Sequence, residues 1–446
     1  MVDNGCLLEQ EDRDQRNESM SNHYETSKTI GVEEAIDTIL SFTKILDSER
    51  VPMLEATGRV LAQDIVSDID IAPFSNSAMD GFALKAGNTE QASLQNPVQL
   101  KVIGIIGAGC VFEGVVQNGE ALRIMTGAML PDGADTVIKI EDVEVVGESP
   151  ECPEGTQIIL TKSVEHGKNV REKGEEVQAG ELLIKAGTVL NAAGIGLLAA
   201  TGNPQVEIIR RPRVAIMSSG DELVDPSVLP GPGQIRNSNC YSLAAAVKAA
   251  GGLPNILGVV KDNKDEILAA IQNAVADHDM VFISGGAAGG DYDFTYQVLN
   301  ELGTVHFCKV NMRPGKAQTL GIVENTIVFG LAGNPSAAMV GFEVLLRPAL
   351  RKMQGYKKIK RPVTRACLTT DAFKPDFRRF YIRAYMEHDR ESDEYRVTPA
   401  ERQSSALLSA LQSANCLVVL QEGVEGSAKN ENVACLRLDI DEGIEI

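Results

Sequence analysis

The chain has 446 residues, more than the roughly 250–300 residues that one hydrophobic core organises, so we expect three or four domains. Its 42 basic and 62 acidic side chains give a formal net charge of -20 at pH 7, which excludes long-range attraction to nucleic acid or to an anionic membrane. Any anion-binding site must therefore be a local group of cations.

No apolar stretch reaches the roughly 18 residues that a membrane span needs, and the first twenty residues lack the basic and apolar regions of a signal peptide. These features predict a cytoplasmic protein without membrane contact. The eight cysteines are scattered, contain no CxxC pair and have mostly apolar neighbours. This pattern predicts reduced thiols in the core rather than disulfides or a metal site.

The first half of the chain predicts a β-rich domain inserted into another domain. Residues 1–27 are polar and charged, which predicts a disordered tail. After Gly31, apolar residues recur at the spacing of an amphipathic helix. Short β-rich runs broken by Gly, Pro and Asn predict a β domain over residues 66–176. Residues 28–65 and 177–209 flank it and are expected to pack together.

The second half alternates apolar strands with helical stretches over residues 210–357. This alternation predicts a doubly wound α/β domain with a largely parallel sheet, whose ligands bind beyond the carboxyl ends of the strands. Residues 358–446 contain short alternating runs and only one short helical stretch, which predicts a small C-terminal β-barrel or sandwich.

Three loops follow predicted strands of the α/β domain. The first is SSGDELV at 218–224, the second is SGGAAGGDYDF at 284–294, and the third is GLAGNPSAA at 330–338. Glycine lets backbone N–H groups approach an anion closely, and the third loop leads into a helix N-terminus. Each loop alone is weak evidence, but three loops on one predicted sheet edge favour an anionic ligand.

A cationic segment lies beside these loops. KVNMRPGKA at 309–317 places Lys309, Arg313 and Lys316 close together in an otherwise acidic chain. It follows a strand that ends at the same sheet edge, so an anion-binding function is favoured over a merely solvated loop. In the β domain, PFSNSAMDGFAL at 73–84, RIMTGAMLPDGADTVIKIED at 123–142 and KNVREKGEE at 168–176 present further polar turns.

Read in chain order, these segments resemble the motif series of the MoeA family, the molybdopterin molybdenumtransferases that insert molybdate into molybdopterin, and of the corresponding domain of gephyrin. The resemblance spans about residues 28–440. It implies a homodimer whose subunit has a central doubly wound α/β domain, a β-rich inserted domain, an elongated linking domain and a C-terminal β-barrel. It also implies a site built between the α/β domain of one subunit and parts of the other.

The resemblance implies adenylated molybdopterin and molybdate as substrates and Mg2+ as cofactor. Contact with the molybdopterin adenylyltransferase is a further expectation. The catalytic residues carried over by motif are Asp80, Thr126, Glu176, Glu222, Lys309, Arg313 and Lys316; those expected to bind the ligand are Gly220, Gly285, Gly286, Gly333, Asn334, Ser405 and Arg379; and the metal ligands are Asp262, Asp293 and Glu222.

Each group has an expected role. Cations bring together two anionic reactants, a carboxylate-held Mg2+ polarises the phosphoanhydride, and no protein nucleophile is needed. The last domain is expected to complete the molybdate pocket with its basic residues and hydroxyls, namely Arg378, Arg379, Arg383, Ser404 and Ser405.

The sequence departs from the family pattern at several site positions. Ala288 and Ala337 stand where serine is common, and Ser336 lies one place before the second of them. GEE, ending at Glu176, replaces GED, and Arg313 replaces a frequent lysine. The missing hydroxyls predict weaker molybdate binding.

Two other functions compete with the transferase. A gephyrin-like scaffold would bind partner peptides, but the cationic segment would then have no function. A molybdopterin adenylyltransferase resembles the α/β domain alone, and the β domain with its SNSAMDG segment argues against it.

Overall fold

A computed structural model of the chain describes residues 29–147, 152–286 and 294–442. The predicted tail and the predicted site residues Ala288 and Asp293 lie outside the described residues. Within them, no helix has the length and apolarity of a membrane span. The cysteines that the structure describes are free thiols, of which Cys110 is exposed and most others are buried.

The described residues form two compact units, one over Arg50–Ile208 and the other made of the residues before Arg50 together with those after Ile208. Helix α1 (Val32–Phe42) is the first described helix of the second unit. It is amphipathic as predicted, with Val32, Ala35 and Ile39 buried. Its apolar face packs into the core of the α/β domain. The sequence had instead predicted that residues 28–65 are part of the linking domain.

The unit Arg50–Ile208 contains a β-rich part and a small α/β part. The β-rich part is a six-stranded sheet in the order β7-β4-β6-β5-β9-β8, and the small part packs helix α2 against short strand pairs. The elements are β1 (Ser48–Pro52), β2 (Ile65–Val66), β3 (Asn76–Ser77), β4 (Gly81–Leu84), β5 (Val98–Ile106), β6 (Glu120–Ile124), β7 (Thr136–Lys139), β8 (Glu144–Val146), β9 (Gln157–Leu160), β10 (Val170–Arg171), β11 (Leu182–Ile184), α2 (Ala192–Ala200) and β12 (Gln205–Ile209), with 3-10 turns at Met53–Ala56, Ala86–Thr89 and Ile140–Asp142.

The α/β domain is a three-layer sandwich. Its sheet has the order β16-β13-β17-β21-β20-β18. The strands β16, β13, β17 and β21 are mutually parallel, and β20 is antiparallel to both of its neighbours, β21 and β18. The elements are β13 (Arg213–Ser219), β14 (Leu223–Val224), β15 (Ile235–Arg236), α3 (Asn239–Ala249), β16 (Leu253–Val260), α4 (Lys264–Asp277), β17 (Met280–Ser284), α5 (Phe294–Leu302), β18 (Thr304–Lys309), β19 (Met312–Arg313), β20 (Ala317–Val323), β21 (Thr326–Leu331), α6 (Pro335–Gly341), a π-helical turn (Phe342–Leu346) and α7 (Arg347–Met353).

Local chemistry explains this layering. Apart from Arg213, every residue of β13 and β17 is buried, and the centre of each strand is apolar, as expected for parallel strands covered on both faces. Helices α1, α3, α6 and α7 contribute to the core on one face, and α4 and α5 cover the other. Asn263 caps α4, because its side chain accepts hydrogen bonds from the N–H groups of Asp265 and Glu266.

The C-terminal domain is a closed five-stranded barrel. Strand β24 pairs with both β25 and β26 and so closes it, while β19 from the α/β domain adds to the edge of β24. The elements are β22 (Val363–Leu368), β23 (Ala372–Phe373), β24 (Arg379–Asp389), β25 (Glu394–Pro399), α8 (Ser409–Gln412), β26 (Cys416–Leu420), β27 (Gly426–Ser427) and β28 (Asn432–Arg437). The predicted barrel is thus observed.

Candidate functional site

A cavity of about 770 Å3 lies between the α/β domain and the barrel. Among the described residues that line it, none is acidic, although the chain as a whole is strongly acidic. Volumes of this size accommodate cofactor-sized ligands. The polar and charged lining residues are Lys309, Arg313, Lys316, Asn334, Arg378, Tyr381, Arg383, Gln403, Ser404 and Ser405.

The predicted cationic segment is held between the two domains. Strand β18 ends at Lys309, and the N–H of Val310 donates to the carbonyl of Lys316 at 2.9 Å, which closes the turn. The two residues of β19 pair in parallel with the start of β24, placing Arg313 opposite Phe380. The segment is therefore part of both domains, and its cations face the cavity between them.

Asp376 fixes two of the cations. Its carboxylate accepts hydrogen bonds from Arg313 Nη1 at 2.9 Å and from Arg378 Nη2 at 2.6 Å. The Arg378 guanidinium, followed by the backbone N–H of Arg378, holds the pKa of Asp376 well below its usual range. The Arg313 guanidinium also lies 5.3 Å from the ring centroid of Phe380. Both cations are therefore preoriented at the cavity.

Arg383 is the most buried cation of the cavity. Its side chain is 1% exposed, it donates from Nη2 to the carbonyl of Ser404 at 3.0 Å, and its Nε has no hydrogen-bond partner in the described structure. Burial lowers the pKa of Arg383 to about 10, so it stays charged at neutral pH. The side chain of Gln403 fixes its backbone through bonds at 3.1 and 2.9 Å.

The third glycine loop offers fewer donors than its sequence suggests. The N–H groups of Ser336 and Ala337, at the start of α6, donate to the carbonyl of Ser405 at 2.9 and 3.3 Å. Ser336 is fully buried with an unpartnered Oγ and does not line the cavity, whereas Ala337 does. The cavity wall therefore presents a methyl group at the position where the family pattern has a hydroxyl.

The three loops meet at the carboxyl ends of the strands. A Cβ atom on Gly285 would collide with the carbonyl oxygen of Ser219, and one on Gly333 would lie 3.6 Å from the Cα of Gly285. Gly285 has a φ of +104°, which side chains rarely adopt. Since Gly333 also lines the cavity, the loops adjoin the cationic site. The predicted ligand-binding glycines of these loops are Gly220, Gly285, Gly286 and Gly333.

Carboxylates gather beside the first loop. The hydroxyl of Ser219 donates to Asp262, and the Glu222 carboxylate packs onto Gly220, 2.6 Å from where a Cβ of that glycine would lie. The N–H of Asp262 in turn donates to Asp221 at 3.4 Å. Among the described residues, no group of three or more His, Cys, Asp or Glu is placed to hold a metal ion, and the third predicted ligand lies outside them.

Asn239 connects two of the loops and was missed in the sequence. Its Nδ2 donates to Ser284 Oγ at 2.7 Å and to the carbonyl of Gly333 at 2.8 Å, while its buried Oδ1 has no partner in the described structure. It lies in the segment GQIRNSN at 233–239. The sequence signal that could have identified Asn239 is an asparagine at the start of a predicted helix that follows a predicted strand.

In the unit Arg50–Ile208, Asp80 and Thr126 lie side by side. The Asp80 carboxylate accepts bonds from the N–H of Thr126 at 2.7 Å and from its hydroxyl at 2.9 Å. The N–H bond and then the hydroxyl bond lower the pKa of Asp80 below its usual value. Pairing of β3 with β10 brings the neighbouring segments together, and the exposed Glu176 donates its N–H to Ile71 at 2.8 Å.

Arg379 does not line the cavity. Its guanidinium pairs with Glu33 and, at 2.9 Å, with Glu422. Its neighbour Arg378 lines the cavity instead. Arg378 precedes β24 and is held there by Asp376, whereas Arg379 is the first residue of that strand. The two candidates were equivalent in the sequence, and their different ion-pair partners distinguish them in the structure.

Family models match almost the whole described chain. The MoeA N-terminal region (domain I and II) matches residues 30–202, a probable molybdopterin binding domain matches residues 215–352, and the MoeA C-terminal region (domain IV) matches residues 365–438.

Curated relatives and solved structures agree with these matches. The chain is 35% identical over 418 residues to a molybdopterin molybdenumtransferase of Bacillus subtilis, covering 93% of this chain and 96% of the relative. It is 38% identical over 399 residues to one of Nostoc, covering 88% and 89%. It also resembles the crystal structure of a molybdopterin biosynthesis MoeA protein from Pyrococcus horikoshii, with a TM-score of 0.79, 35% identity and coverage of 92% and 99%.

Proposed function

Because this chain belongs to the MoeA family, we propose that it inserts molybdate into adenylated molybdopterin and releases AMP. The predicted family and the predicted α/β-plus-β fold class are confirmed. The curated relatives are transferases, which supports an enzyme over a gephyrin-like scaffold.

One observation carries the proposal. Arg383 is a buried cation with no carboxylate partner among the described residues, and it faces a cavity together with Lys316 and Lys309. An unpaired buried charge is costly unless a counter-charge binds. Arginine donors in a fork, with lysines nearby, suit the oxygens of a phosphate or of molybdate. The cavity therefore fits two anionic reactants that must approach each other.

We propose that Mg2+ is held by Asp262 and Glu222, with Asp293 as a further ligand. The carboxylates of Asp262 and Glu222 lie beside the Ser219–Gly220 turn, and a pair of carboxylates suits Mg2+, which keeps several waters and binds substrate phosphates. When bound, the ion would polarise the phosphoanhydride. The carboxylates would hold the ion, and the cationic side chains of the cavity would orient the anionic substrates.

Asp80, Thr126 and Glu176 are proposed to contribute to the same reaction from the unit Arg50–Ile208. The bonds from Thr126 keep Asp80 ionised and oriented, which supports a role in positioning. We further propose that the site is completed in a homodimer, as the family resemblance implies. Contact with the adenylyltransferase and a cytoplasmic location stay predictions.

The test uses purified protein with adenylated molybdopterin, MgCl2 and molybdate. The proposal predicts AMP release that requires molybdate and matches the amount of molybdenum bound to molybdopterin. A scaffold would release no AMP. An adenylyltransferase would instead consume ATP and unmodified molybdopterin, and either of these results would exclude the transferase.

A further inference from the structure

Two phenylalanines at the start of the barrel expose most of their rings. Phe373 is 67% exposed and Phe377 is 74% exposed. Phe373 lines the cationic cavity, whereas Phe377 is not among the lining residues. An aromatic ring at the wall of a ligand cavity offers a large apolar surface that a bound ligand can cover.

The ring of Phe373 has a defined place. Strands β23 and β27 pair so that Phe373 lies opposite Gly426, and the next N–H, that of Lys374, donates to the backbone carbonyl of Glu425 at 2.9 Å. A Cβ on Gly426 would lie 2.7 Å from Cδ1 of Phe373, so the ring packs directly onto glycine backbone. Gly426 has a φ of +158°, and a larger residue there would displace the ring.

The cavity thus combines two kinds of surface. Lys316 and Arg383 offer charge to an anion, and Phe373 offers a flat apolar face on the same cavity. A ligand that joins a phosphate to a planar ring matches both. Simple inorganic oxyanions would use the cations and leave the ring uncovered.

We propose that Phe373 stacks on the planar heteroaromatic ring of the bound substrate and makes the cavity selective for phosphorylated ligands that carry such a ring. This inference rests on the proposed function, which supplies two such rings, adenine and pterin. Both rings are flat and aromatic, which is the property that a phenyl face recognises. AMP, which carries adenine, and unmodified molybdopterin, which carries the pterin, distinguish them.

The experiment measures binding by calorimetry to the full-length protein with Mg2+ present. The ligands are AMP, unmodified molybdopterin, ribose 5-phosphate and molybdate. The variants are Phe373→Ala, Phe373→Leu and Phe373→Tyr, with Phe377→Ala as the matched exposed control. Because stacking one base on an aromatic ring changes affinity by about tenfold, loss of the ring should raise Kd by about that factor.

The proposal predicts that Phe373→Ala and Phe373→Leu weaken the binding of AMP, of molybdopterin or of both, and that Phe373→Tyr binds these ligands normally. The binding of ribose 5-phosphate and of molybdate should be unchanged in all three variants. Weakening of AMP alone identifies adenine as the stacked ring, and weakening of molybdopterin alone identifies the pterin.

Three results would overturn the proposal. The affinity for both ring-bearing ligands could be unchanged, the affinity for ribose 5-phosphate could fall equally, or Phe377→Ala could cause the same loss of affinity. A wild-type protein that binds neither AMP nor molybdopterin would overturn it as well. If only the proposed function fails, the result is different. The wild-type protein then binds AMP or molybdopterin in a way that depends on the ring of Phe373, but it releases no AMP when molybdate is supplied with adenylated molybdopterin.

Discussion

Arg383 donates a hydrogen bond from Nη2 to the carbonyl of Ser404 at 3.0 Å, while its Nε, buried beside the cavity, has no partner among the described residues. One bond to a carbonyl leaves most of the donors of a guanidinium available. Such a cation is expensive to bury. Its position is explained if an oxyanion occupies the cavity during the reaction.

Replacing Arg383 by Met should make the protein more stable and less able to bind molybdate. Burial lowers the folded-state pKa to about 10, below the ordinary value for arginine, so the charged side chain destabilises the fold fully below pH 10 and less as the pH rises above it. We expect the free energy of unfolding at pH 7 to rise by about 1–2 kcal/mol and the Kd of molybdate to rise at least tenfold. Urea unfolding and calorimetry measure both.

Arg378→Met is the matched control for that prediction. Arg378 lines the same cavity but is paired with Asp376, so its removal breaks an ion pair and should bring no gain in stability. A loss of stability in Arg383→Met equal to that in Arg378→Met would show that the buried charge is already compensated.

Replacing Ala337 by Ser should tighten molybdate binding. Ala337 lines the cavity and Ser336 is turned into the core, so a hydroxyl at position 337 adds a donor that Ser336 cannot supply. A hydrogen bond to an anion corresponds to about a tenfold change. Cofactor formation against molybdate concentration should shift to lower concentration by up to that factor.

Ser336→Ala is the control and should leave the molybdate dependence unchanged. If Ala337→Ser causes no shift, or if Ser336→Ala weakens binding, the oxyanion is held by another part of the cavity and the prediction of weakened binding is wrong.

Sequence patterns predicted the fold well because hydrophobic periodicity and glycine positions are local. The alternation over residues 210–357 and the amphipathic α1 both appear in the structure. The packing of α1 against the α/β core could not be read from its sequence, since an apolar helix face does not specify which core it joins. Arg379 pairs with Glu33 and Glu422, which are distant in sequence, so no local pattern could show that Arg378 rather than Arg379 lines the cavity.

Other site features were beyond local patterns. The bridge of Asp376 between Arg313 and Arg378 joins residues from two domains, and the bond from Ser336 to Ser405 depends on how the barrel packs. The aromatic and basic interleaving of residues 373–380 was a visible signal for a binding surface, but it did not separate the lining Phe373 from Phe377.

Replacing Asp262 by Asn should raise the Mg2+ concentration needed for half-maximal AMP release while the fold stays intact. Asp262 is held by the Ser219 hydroxyl on a loop rather than in a core, and loss of one charged ligand from a site of few protein ligands weakens Mg2+ binding. We expect a shift of about tenfold or more and a rate loss on the order of a hundredfold at low Mg2+.

Asp265→Asn is the neighbouring control, because Asp265 is exposed in the first turn of α4. It should leave the Mg2+ dependence of AMP release unchanged. An Asp262→Asn protein with an unaltered Mg2+ dependence would exclude Asp262 as a metal ligand.

Mixing inactive variants should restore activity if two subunits share the site. Asp80→Ala removes a group from the unit Arg50–Ile208, and Lys316→Ala removes a cavity cation from the other unit. Mixed dimers then contain one complete site, so AMP release should recover to at most about a quarter of the wild-type rate if exchange is random. No recovery after subunit exchange has been demonstrated by mass spectrometry would mean that each subunit builds its site alone.

The most direct test of an oxyanion site in the cavity is anomalous diffraction from crystals of the full-length protein soaked in molybdate. We expect a molybdenum peak within hydrogen-bonding reach of the Arg383 guanidinium and the Lys316 ammonium, and its loss in crystals of Arg383→Met. The crystals are soaked at molybdate concentrations that saturate cofactor formation. The account would be contradicted if the cavity then shows no molybdenum peak, or if the peak persists unchanged in Arg383→Met.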